Sequence, residues 1–370
     1  MTDWDKIRAQ FPAAEKFTYL NSASESPTFI AASEAGKKYY DEVLQWECNW
    51  DDWCKKVEGT REKIARLINA DKSEIAFIPN TSFGMNFVAQ MLKGRGDVVT
   101  MNDEFPASTL AWVNQGFGLD FVEAKNGAYS IADIDKSVTD KTRILLTSHT
   151  QSFTGFRQDI AELGGYCKSK NLIYVVNATQ SIGITQIDVK KANVDFLVFS
   201  SVKWLNTAEG LGAIYINKKW FGKVNWPVVG WLSAKNPSEY ENRKLKLKED
   251  ASVLEVGALC LHSVFVMGEA VDLIQRIGIK NIEERLGELT DYLIKKLNEL
   301  GIEPLFPLEK KNRAPIVVIK LKNSKEIAEK LLQKKIIVSE RLGRLRISVN
   351  IFNNTEDIDR FASELAIILR

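Results

Sequence analysis

The segment DFLVFSSVKWL at residues 195–205 joins an apolar run to two serines and a lysine, and a glycine-rich stretch follows at 209–212. Residues 196–199 have the unbroken apolar character of a strand that is buried on both faces. Lys203 therefore lies just beyond the carboxyl end of a predicted buried strand. Burial disfavours the charged ammonium form of a lysine, and the neutral amine is the form that attacks an aldehyde. From its position alone, the alternative of a solvated surface lysine stays open.

Around this segment, short apolar runs alternate with helical patterns. The predicted strands are residues 75–78, 97–101, 143–147, 172–176, 196–199 and 212–216. The predicted helices between them are residues 83–92, 107–115 and 159–169. Buried strands that alternate with helices are typical of a parallel sheet covered by helices, so we predict an α/β fold of this kind.

The pattern changes over residues 226–250, which hold two prolines, a glycine and a charge-dense run, and which we predict to be rich in loops. Beyond this stretch, the sequence predicts a smaller α+β unit. Its predicted helices are residues 259–275, 279–300 and 355–369, and its predicted strands are residues 315–319, 336–338 and 345–349. We therefore predict a large domain at 15–245 and a small C-terminal domain at 246–370, with residues 1–14 joined to the small one.

Composition excludes several classes of function. The 370 residues are 45% hydrophobic and 26% charged, and the net charge of +2 gives no field that would attract nucleic acid or a membrane surface. No apolar run approaches the roughly 20 residues of a membrane span, and the polar start lacks a signal peptide, so we expect a cytoplasmic protein. The four cysteines form no C-x-x-C pair and there are two histidines, so we expect no metal site.

Further segments match, in the same order along the chain, the motifs of one known family. They are YLNSA (19–23), NTSFGMN (80–86), EFPASTLAW (104–112), SHTQSFTG (148–155), VVNATQSIG (175–183), RLRIS (344–348) and NTEDID (354–359). With the lysine segment, they resemble the class V aminotransferase and cysteine-desulfurase superfamily of fold-type I enzymes that use pyridoxal 5'-phosphate (PLP). The resemblance implies a fold-type I PLP transferase, a small-molecule amino-acid substrate and a homodimer.

The resemblance assigns roles to residues on the cofactor side. It makes Lys203 the catalytic residue, which forms a Schiff base with PLP. Thr81, Ser82 and Ser200 would bind the phosphate, and free N–H groups with hydroxyls at a helix start suit a dianion. The alternative for Thr81 or Ser82 is a simple N-cap. Phe105 would stack on the pyridine ring without moving protons, and its alternative is a core phenylalanine.

Other residues are implied in hydrogen bonding and substrate binding. Gln151 and Gln180 are candidates to bind the ring hydroxyl, and the alternative for each is a bond to backbone. Arg346 would bind the substrate α-carboxylate in a bidentate fork. Either Arg341 or Arg344 can contribute a second contact, or be a solvated charge.

The sequence departs from the family at three positions. Asn177 stands where the family has aspartate, whose negative charge keeps the pyridine nitrogen protonated. Val202 replaces a common histidine donor, and Ala258 lacks a hydroxyl. Three accounts fit Asn177: an active enzyme that needs less carbanion stabilisation, a paralogue that holds PLP weakly or not at all, or a deliberate substitution.

The motifs indicate the reaction less directly than they indicate the fold and the cofactor. Cysteine desulfurases need a cysteine shortly before the carboxylate-binding arginine, and residues 338–346 contain none. Residues 155–159 and 229–231 look like the aminotransferase and isopenicillin-N-epimerase-like branch. We therefore expect an aminotransferase-like enzyme that works through Lys203 and is not a cysteine desulfurase. The alternatives are an epimerase or lyase of the same superfamily, or a catalytically degenerate paralogue with a binding role.

Overall fold

A computed structural model describes residues 2–306 and 308–370 of the chain. The strands are β1 (Thr18–Tyr19), β2 (Ile75–Ile78), β3 (Asp97–Met101), β4 (Leu119–Val122), β5 (Thr142–Ser148), β6 (Ile173–Asn177), β7 (Phe196–Ser200), β8 (Gly212–Ile216), β9 (Ile316–Ile319), β10 (Ile336–Ile337), β11 (Ser339–Arg341) and β12 (Arg344–Ser348). The α-helices are α1 (Trp4–Arg8), α2 (Ala13–Lys16), α3 (Ile30–Leu44), α4 (Trp50–Leu67), α5 (Thr81–Met91), α6 (Pro106–Gln115), α7 (Ile131–Ser137), α8 (Ile160–Lys170), α9 (Leu261–Ile277), α10 (Ile279–Glu299), α11 (Ser324–Gln333) and α12 (Thr355–Leu369).

A seven-stranded sheet in the order β2-β8-β7-β6-β5-β3-β4 forms the centre of the fold. Strand β8 runs antiparallel to both of its neighbours, and the remaining pairs are parallel. Every residue of β2 and β8 is buried, as expected for strands covered on both faces. The mostly parallel α/β sheet confirms the fold class, and each strand predicted up to residue 216 is present.

Strand β4 at the sheet edge was not predicted from the sequence. Asp120 and Phe121 in its centre are exposed, and Val122 is its one buried residue. An edge strand of this kind has no unbroken apolar run, so the pattern that indicates buried strands is missing.

The C-terminal part carries a smaller antiparallel sheet in the order β11-β12-β9. Strand β1 lies in the range that we assigned to the large domain, but it pairs with β10 of the C-terminal part, with Thr18 opposite Ile336. Asn21 also bridges to Ser348 in β12. The division at residues 245 and 246 stays a prediction, and these pairings attach residues 18–21 to the C-terminal strands.

Parallel strands in one sheet place their carboxyl ends at the same edge, where open α/β sheets bind ligands. Ser148, Asn177 and Ser200 end β5, β6 and β7 respectively. Thr81 begins helix α5, and Phe105 directly precedes helix α6. The fold therefore brings together side chains that are widely separated in the sequence. Within the described ranges, no helix is long and apolar enough to cross a membrane.

Candidate active site

A cavity of about 410 Å³ lies at the carboxyl edge of the central sheet. The predicted site residues that line it are Thr81, Ser82, Phe105, Asn177, Gln180, Ser200, Lys203 and Arg346. Arg341 also lines the cavity, whereas no aspartate or glutamate of the described chain does. The cavity is therefore rich in hydroxyl and amide groups and has a surplus of positive charge.

Lys203 follows strand β7, and its half-buried side chain reaches into the cavity. The ammonium nitrogen lies 5.5 Å from the centroid of the Phe105 ring. Burial, followed by the charges of Arg346 and Arg341, lowers the pKa of Lys203 to about 7. A substantial fraction of this lysine is therefore neutral and nucleophilic near neutral pH.

Phe105 is 43% exposed and is not a core residue, because its ring faces the cavity. The ring stacks against Phe153 with 6.2 Å between centroids and 30° between the planes. Position 105 thus offers a planar ligand an aromatic face within the cavity, and the ammonium nitrogen of Lys203 lies over that face.

Three hydroxyl groups converge where helix α5 begins. The backbone N–H of Thr81 donates to Ser200 Oγ over 2.9 Å, and Thr81 Oγ1 lies 2.8 Å from both Ser200 Oγ and Thr179 Oγ1. The N-cap is Asn80, whose side chain accepts from the N–H of Phe83. The alternative of Thr81 or Ser82 as the N-cap is therefore wrong. A helix N-terminus surrounded by hydroxyls suits an anion such as a phosphate.

The hydrogen bonds of Asn177 fix the orientation of its amide. The backbone N–H of Thr179 donates to Asn177 Oδ1 over 3.0 Å, so the oxygen must face that way. Asn177 Nδ2 then donates to Ser108 Oγ over 2.9 Å. An amide nitrogen has two hydrogens, so one donor is left over. This donor suits an unprotonated ring nitrogen rather than a protonated one.

Gln180 lines the cavity, and both ends of its side chain are held by protein groups. Its Nε2 donates to the carbonyl of Ala23 over 2.8 Å and to Ser152 Oγ over 3.2 Å. Its Oε1 accepts from the indole N–H of Trp204 over 2.8 Å. The second lone pair of Oε1 is the group left to accept from a ligand hydroxyl.

Gln151 does not line the cavity, so the structure does not place it where a ring hydroxyl would lie. Its Nε2 instead donates to Glu104 Oε1 over 2.8 Å. Glu104 also accepts from the backbone N–H and the hydroxyl of Ser148, each over 2.6 Å. Burial raises the pKa of the Glu104 carboxyl, and the hydrogen bonds from Ser148, Gln151 and Ser108 oppose this rise.

Sequence reasoning assigned no role to Glu104, although this residue opens the motif at 104–112. Ser108, which receives the hydrogen bond from Asn177, also acts on the Glu104 carboxyl. Glu104 therefore holds the carboxyl end of β5 through Ser148, and it is linked to Asn177 through Ser108. The signal that could have found it is a charged residue directly before an aromatic ring and a helix start.

Arg346 is buried and all of its hydrogen-bond acceptors are neutral. Its Nη1 donates to the carbonyl and hydroxyl of Ser152, each over 2.9 Å, and its Nη2 donates to Ser24 Oγ over 2.6 Å. Burial, together with the charge of Arg341, lowers the pKa of Arg346 to about 10. A buried guanidinium without an acidic partner favours the binding of a carboxylate from outside the chain.

The structure distinguishes Arg341 from Arg344, the two candidates for a second contact to the substrate carboxylate. The Arg341 guanidinium lines the cavity and donates to Ser24 Oγ over 3.2 Å, the hydroxyl that Arg346 also contacts. The Arg344 guanidinium instead lies 5.4 Å from the centroid of the Phe306 ring and does not line the cavity.

A larger cavity of about 910 Å³ contains none of the predicted site residues. It is lined by charges of both signs, among them Asp133, Arg157 and Lys191, and by the buried His149. Convergent groups of defined chemistry make the smaller cavity the candidate active site, whatever its size. In the part of the chain that the structure describes, no cluster of three or more potential metal ligands is found.

A family description, Aminotransferase class-V, matches residues 18–361. This chain belongs to the class-V aminotransferase family. The match extends from the first strand into the last helix and contains every residue that lines the candidate site.

Individual relatives of this class-V aminotransferase family member carry different names. A probable cysteine desulfurase of Pyrococcus abyssi is 28% identical over 98% of this chain and 96% of its own. An uncharacterized aminotransferase of Bacillus subtilis is 25% identical over 98% of this chain and 97% of its own. A solved C-DES variant, with glycine covalently linked to its PLP cofactor, has a TM-score of 0.91, 20% identity and 99% coverage of both chains. The last of these supports the fold alone.

We predict that Lys203 reacts with a small aldehyde with a midpoint near pH 7, because its pKa is lowered to about 7. Arg346→Gln should move the midpoint upward, because it removes a neighbouring positive charge. Reductive methylation of protein freed of PLP, read by peptide mass spectrometry, measures both midpoints, with exposed Lys141 as an internal reference.

The same shift has a consequence for stability. Between pH 7 and the ordinary lysine value of 10.5, Lys203 binds a proton in the unfolded chain but not in the folded one. Its contribution to the free energy of unfolding should therefore rise with pH across this window. A methylation midpoint of Lys203 near pH 10.5, unchanged in Arg346→Gln, would contradict a buried lysine beside Arg346.

Proposed function

We propose that this protein is a PLP-dependent enzyme that acts on a small amino acid, and that its reaction is aminotransferase-like. The observation that carries the proposal is Lys203, a lysine with a lowered pKa placed between an aromatic face and a buried arginine without an acidic partner. A reaction between an aldehyde cofactor and an amino acid can use these three groups as the nucleophilic amine, the face against the cofactor ring and the cation for the α-carboxylate.

The cavity fits PLP on several independent points. The volume of about 410 Å³ lies in the range of small-molecule sites. The start of α5 and the hydroxyls of Thr81 and Ser200 suit the phosphate, and Phe105 offers a face to the ring. Asn177 has a free amide donor where the family binds the ring nitrogen, and Gln180 has a free acceptor for the hydroxyl. These residues are the ones that would hold the cofactor.

Bound PLP supplies an electron sink for the charge that develops at the substrate Cα. The residues of the chain bind the substrate, transfer protons and exclude water. Arg346 holds the α-carboxylate and thereby sets which Cα bond faces the ring. Lys203 holds or moves a proton at Nζ, because a pKa near 7 allows both forms near neutral pH. Phe105 covers one side of the site and excludes water, but it transfers no proton.

The choice of an aminotransferase-like reaction over desulfuration depends on the missing thiol. Residues 338–346, which include β11 and its turn to β12, contain no cysteine. Cys48, Cys54, Cys167 and Cys260 are free thiols, and none of them lines the cavity. Desulfuration requires a thiolate that attacks the substrate sulfur at the site. The relatives named probable cysteine desulfurase make this reaction the second candidate.

We expect PLP-loaded protein to convert an amino acid to its keto acid and to leave the amino group on the cofactor as pyridoxamine phosphate. Single-turnover reactions with individual L-amino acids, followed by mass spectrometry of both products, measure this, and Lys203→Ala is the control. Alanine from cysteine, with sulfide released on addition of a thiol reductant, would instead establish the desulfurase. A racemised amino acid would indicate an epimerase, and ammonia together with a keto acid would indicate a lyase. A protein that fails to retain PLP would be a degenerate paralogue.

Asn177→Asp should raise the rate of Cα proton exchange by on the order of 10- to 100-fold, or about 1.4 to 2.7 kcal/mol of barrier. The reason is that a carboxylate would keep the ring nitrogen protonated, whereas the Asn177 amide donates to it. Solvent-deuterium exchange of a bound amino acid, followed by NMR, measures the rate. Asn177→Ala, which has neither group, should be slower than wild type. An unchanged rate in the aspartate variant with PLP bound would refute this role.

The expected cytoplasmic homodimer is part of the proposal. Phe83 and Phe105, which line the cavity, are 51% and 43% exposed, so large apolar surface lies beside the site. A second copy of the chain is a natural cover for such surface. Sedimentation of the PLP-loaded protein should give twice the chain mass of 41.8 kDa, and a monomer would contradict this part.

A further inference from the structure

The candidate site contains more positive charge than the α-carboxylate of a substrate neutralises. Lys203, Arg341 and Arg346 all line it, and no carboxylate among the described residues lies within 4.0 Å of any of these three. The lowered pKa values of Lys203 and Arg346 have this mutual repulsion among their causes. Uncompensated cations in a cavity indicate an anionic ligand.

The charges can be matched to the proposed ligands one at a time. The phosphate would lie at the start of α5, beside Thr81 and Ser200, where helix amides and hydroxyls are placed to bind it. The α-carboxylate neutralises Arg346. Lys203, whose pKa is lowered to about 7, is largely neutral above that pH and then needs no anion. Arg341, which is exposed and bonded only to neutral groups, is then the cation left without an acidic partner among the described residues.

The local structure holds Arg341 toward the cavity instead of toward an acid. Its Nη1 donates to the backbone carbonyl of Glu340 over 2.9 Å, while the Glu340 carboxylate accepts from the N–H of Gly343 over 2.6 Å. The nearest acid along the chain is therefore occupied by the turn. The turn itself needs left-handed backbone at Leu342 and Gly343, with φ of 54° and 74°, which fixes the end of β11.

Ser24 connects the two arginines. Its Oγ accepts from Arg346 Nη2 over 2.6 Å and from Arg341 Nη2 over 3.2 Å. Both acceptor positions of the hydroxyl are therefore used, and its own hydrogen is left to donate. Two guanidinium groups and one hydroxyl donor thus surround a single region at the mouth of the cavity.

We propose that Arg341, with Ser24, binds a carboxylate on the substrate side chain, so that the preferred substrates are amino-dicarboxylic acids. This inference rests on the proposed function and names the substrate class of the same site. Arg346 and Arg341 would hold the two carboxylates of one ligand, each by charge-assisted hydrogen bonds. Arg341 is then a residue that determines specificity and takes no part in proton transfer.

The first experiment compares acids with their neutral isosteres. PLP-loaded protein is titrated with aspartate against asparagine and with glutamate against glutamine, and the change in the visible spectrum gives each Kd. Wild type should bind the acid at least about tenfold more tightly than the amide, since a hydrogen bond to a charged group contributes that much. Equal binding of acid and amide by wild type would overturn the proposal.

Two arginine variants separate the side-chain role from other roles. Arg341→Gln should abolish the preference for the acid, so that its Kd values for aspartate and asparagine differ by less than about twofold. Arg344→Gln removes the same charge from the same turn but not from the cavity, and it should keep the preference. If Arg341→Gln weakens alanine, asparagine and aspartate equally, Arg341 is a second contact to the α-carboxylate and the proposal is wrong.

A second measurement is independent of the cofactor. Calorimetry of the same variants without PLP compares succinate with its monoamide, succinamate. Succinate should bind more tightly to wild type and to Arg344→Gln but not to Arg341→Gln, and equal binding to wild type would overturn the proposal. If the protein retains no PLP, the proposed function fails, whereas the succinate comparison still decides the ligand class.

Discussion

The burial of Lys203, reinforced by repulsion from Arg346 and Arg341, is the constraint on which the chemistry depends, and no acidic side chain of the described residues lines the cavity. Burial and two neighbouring guanidinium groups bring the pKa of Lys203 to about 7. Arg346 is stabilised by serine hydroxyls and a carbonyl, which are weaker partners than a carboxylate. Both buried groups become better satisfied when an aldehyde cofactor and a substrate carboxylate bind. The unpaired positive charge of the empty site therefore favours these ligands over others.

Both parts of the chain are needed to assemble this cluster. The central sheet supplies Lys203 and the phosphate-binding hydroxyls from the carboxyl ends of its parallel strands. Strand β12 brings in Arg346, and the segment after β1 crosses between the two parts. There the backbone N–H of Ala23 donates to Ser348 Oγ over 2.9 Å, and Ser24 joins the two arginines. A small movement of this segment would therefore change the distance between cofactor and carboxylate sites, to which catalysis is sensitive.

The sequence predicted the features that follow from local patterns. Buried apolar runs gave the strands, and the motif order gave Lys203 and most of the side chains that line the cavity. It failed where tertiary contacts decide: Gln151 bonds to Glu104 because a buried carboxylate needs donors, and the exposed edge strand β4 lacks an apolar run. The choice between Arg341 and Arg344 depends on the turn at 342–343. The geometry of this turn cannot be predicted from the spacing of residues.

The most direct test of the account is whether PLP bonds covalently to Lys203. Purified protein with added PLP is examined by visible absorption, reduced with borohydride, and mapped by peptide mass spectrometry, beside Lys203→Ala. We expect a visible band and a reduced PLP adduct on Lys203, both absent from the alanine variant. A colourless protein that retains no PLP, or adducts only on surface lysines, would contradict it.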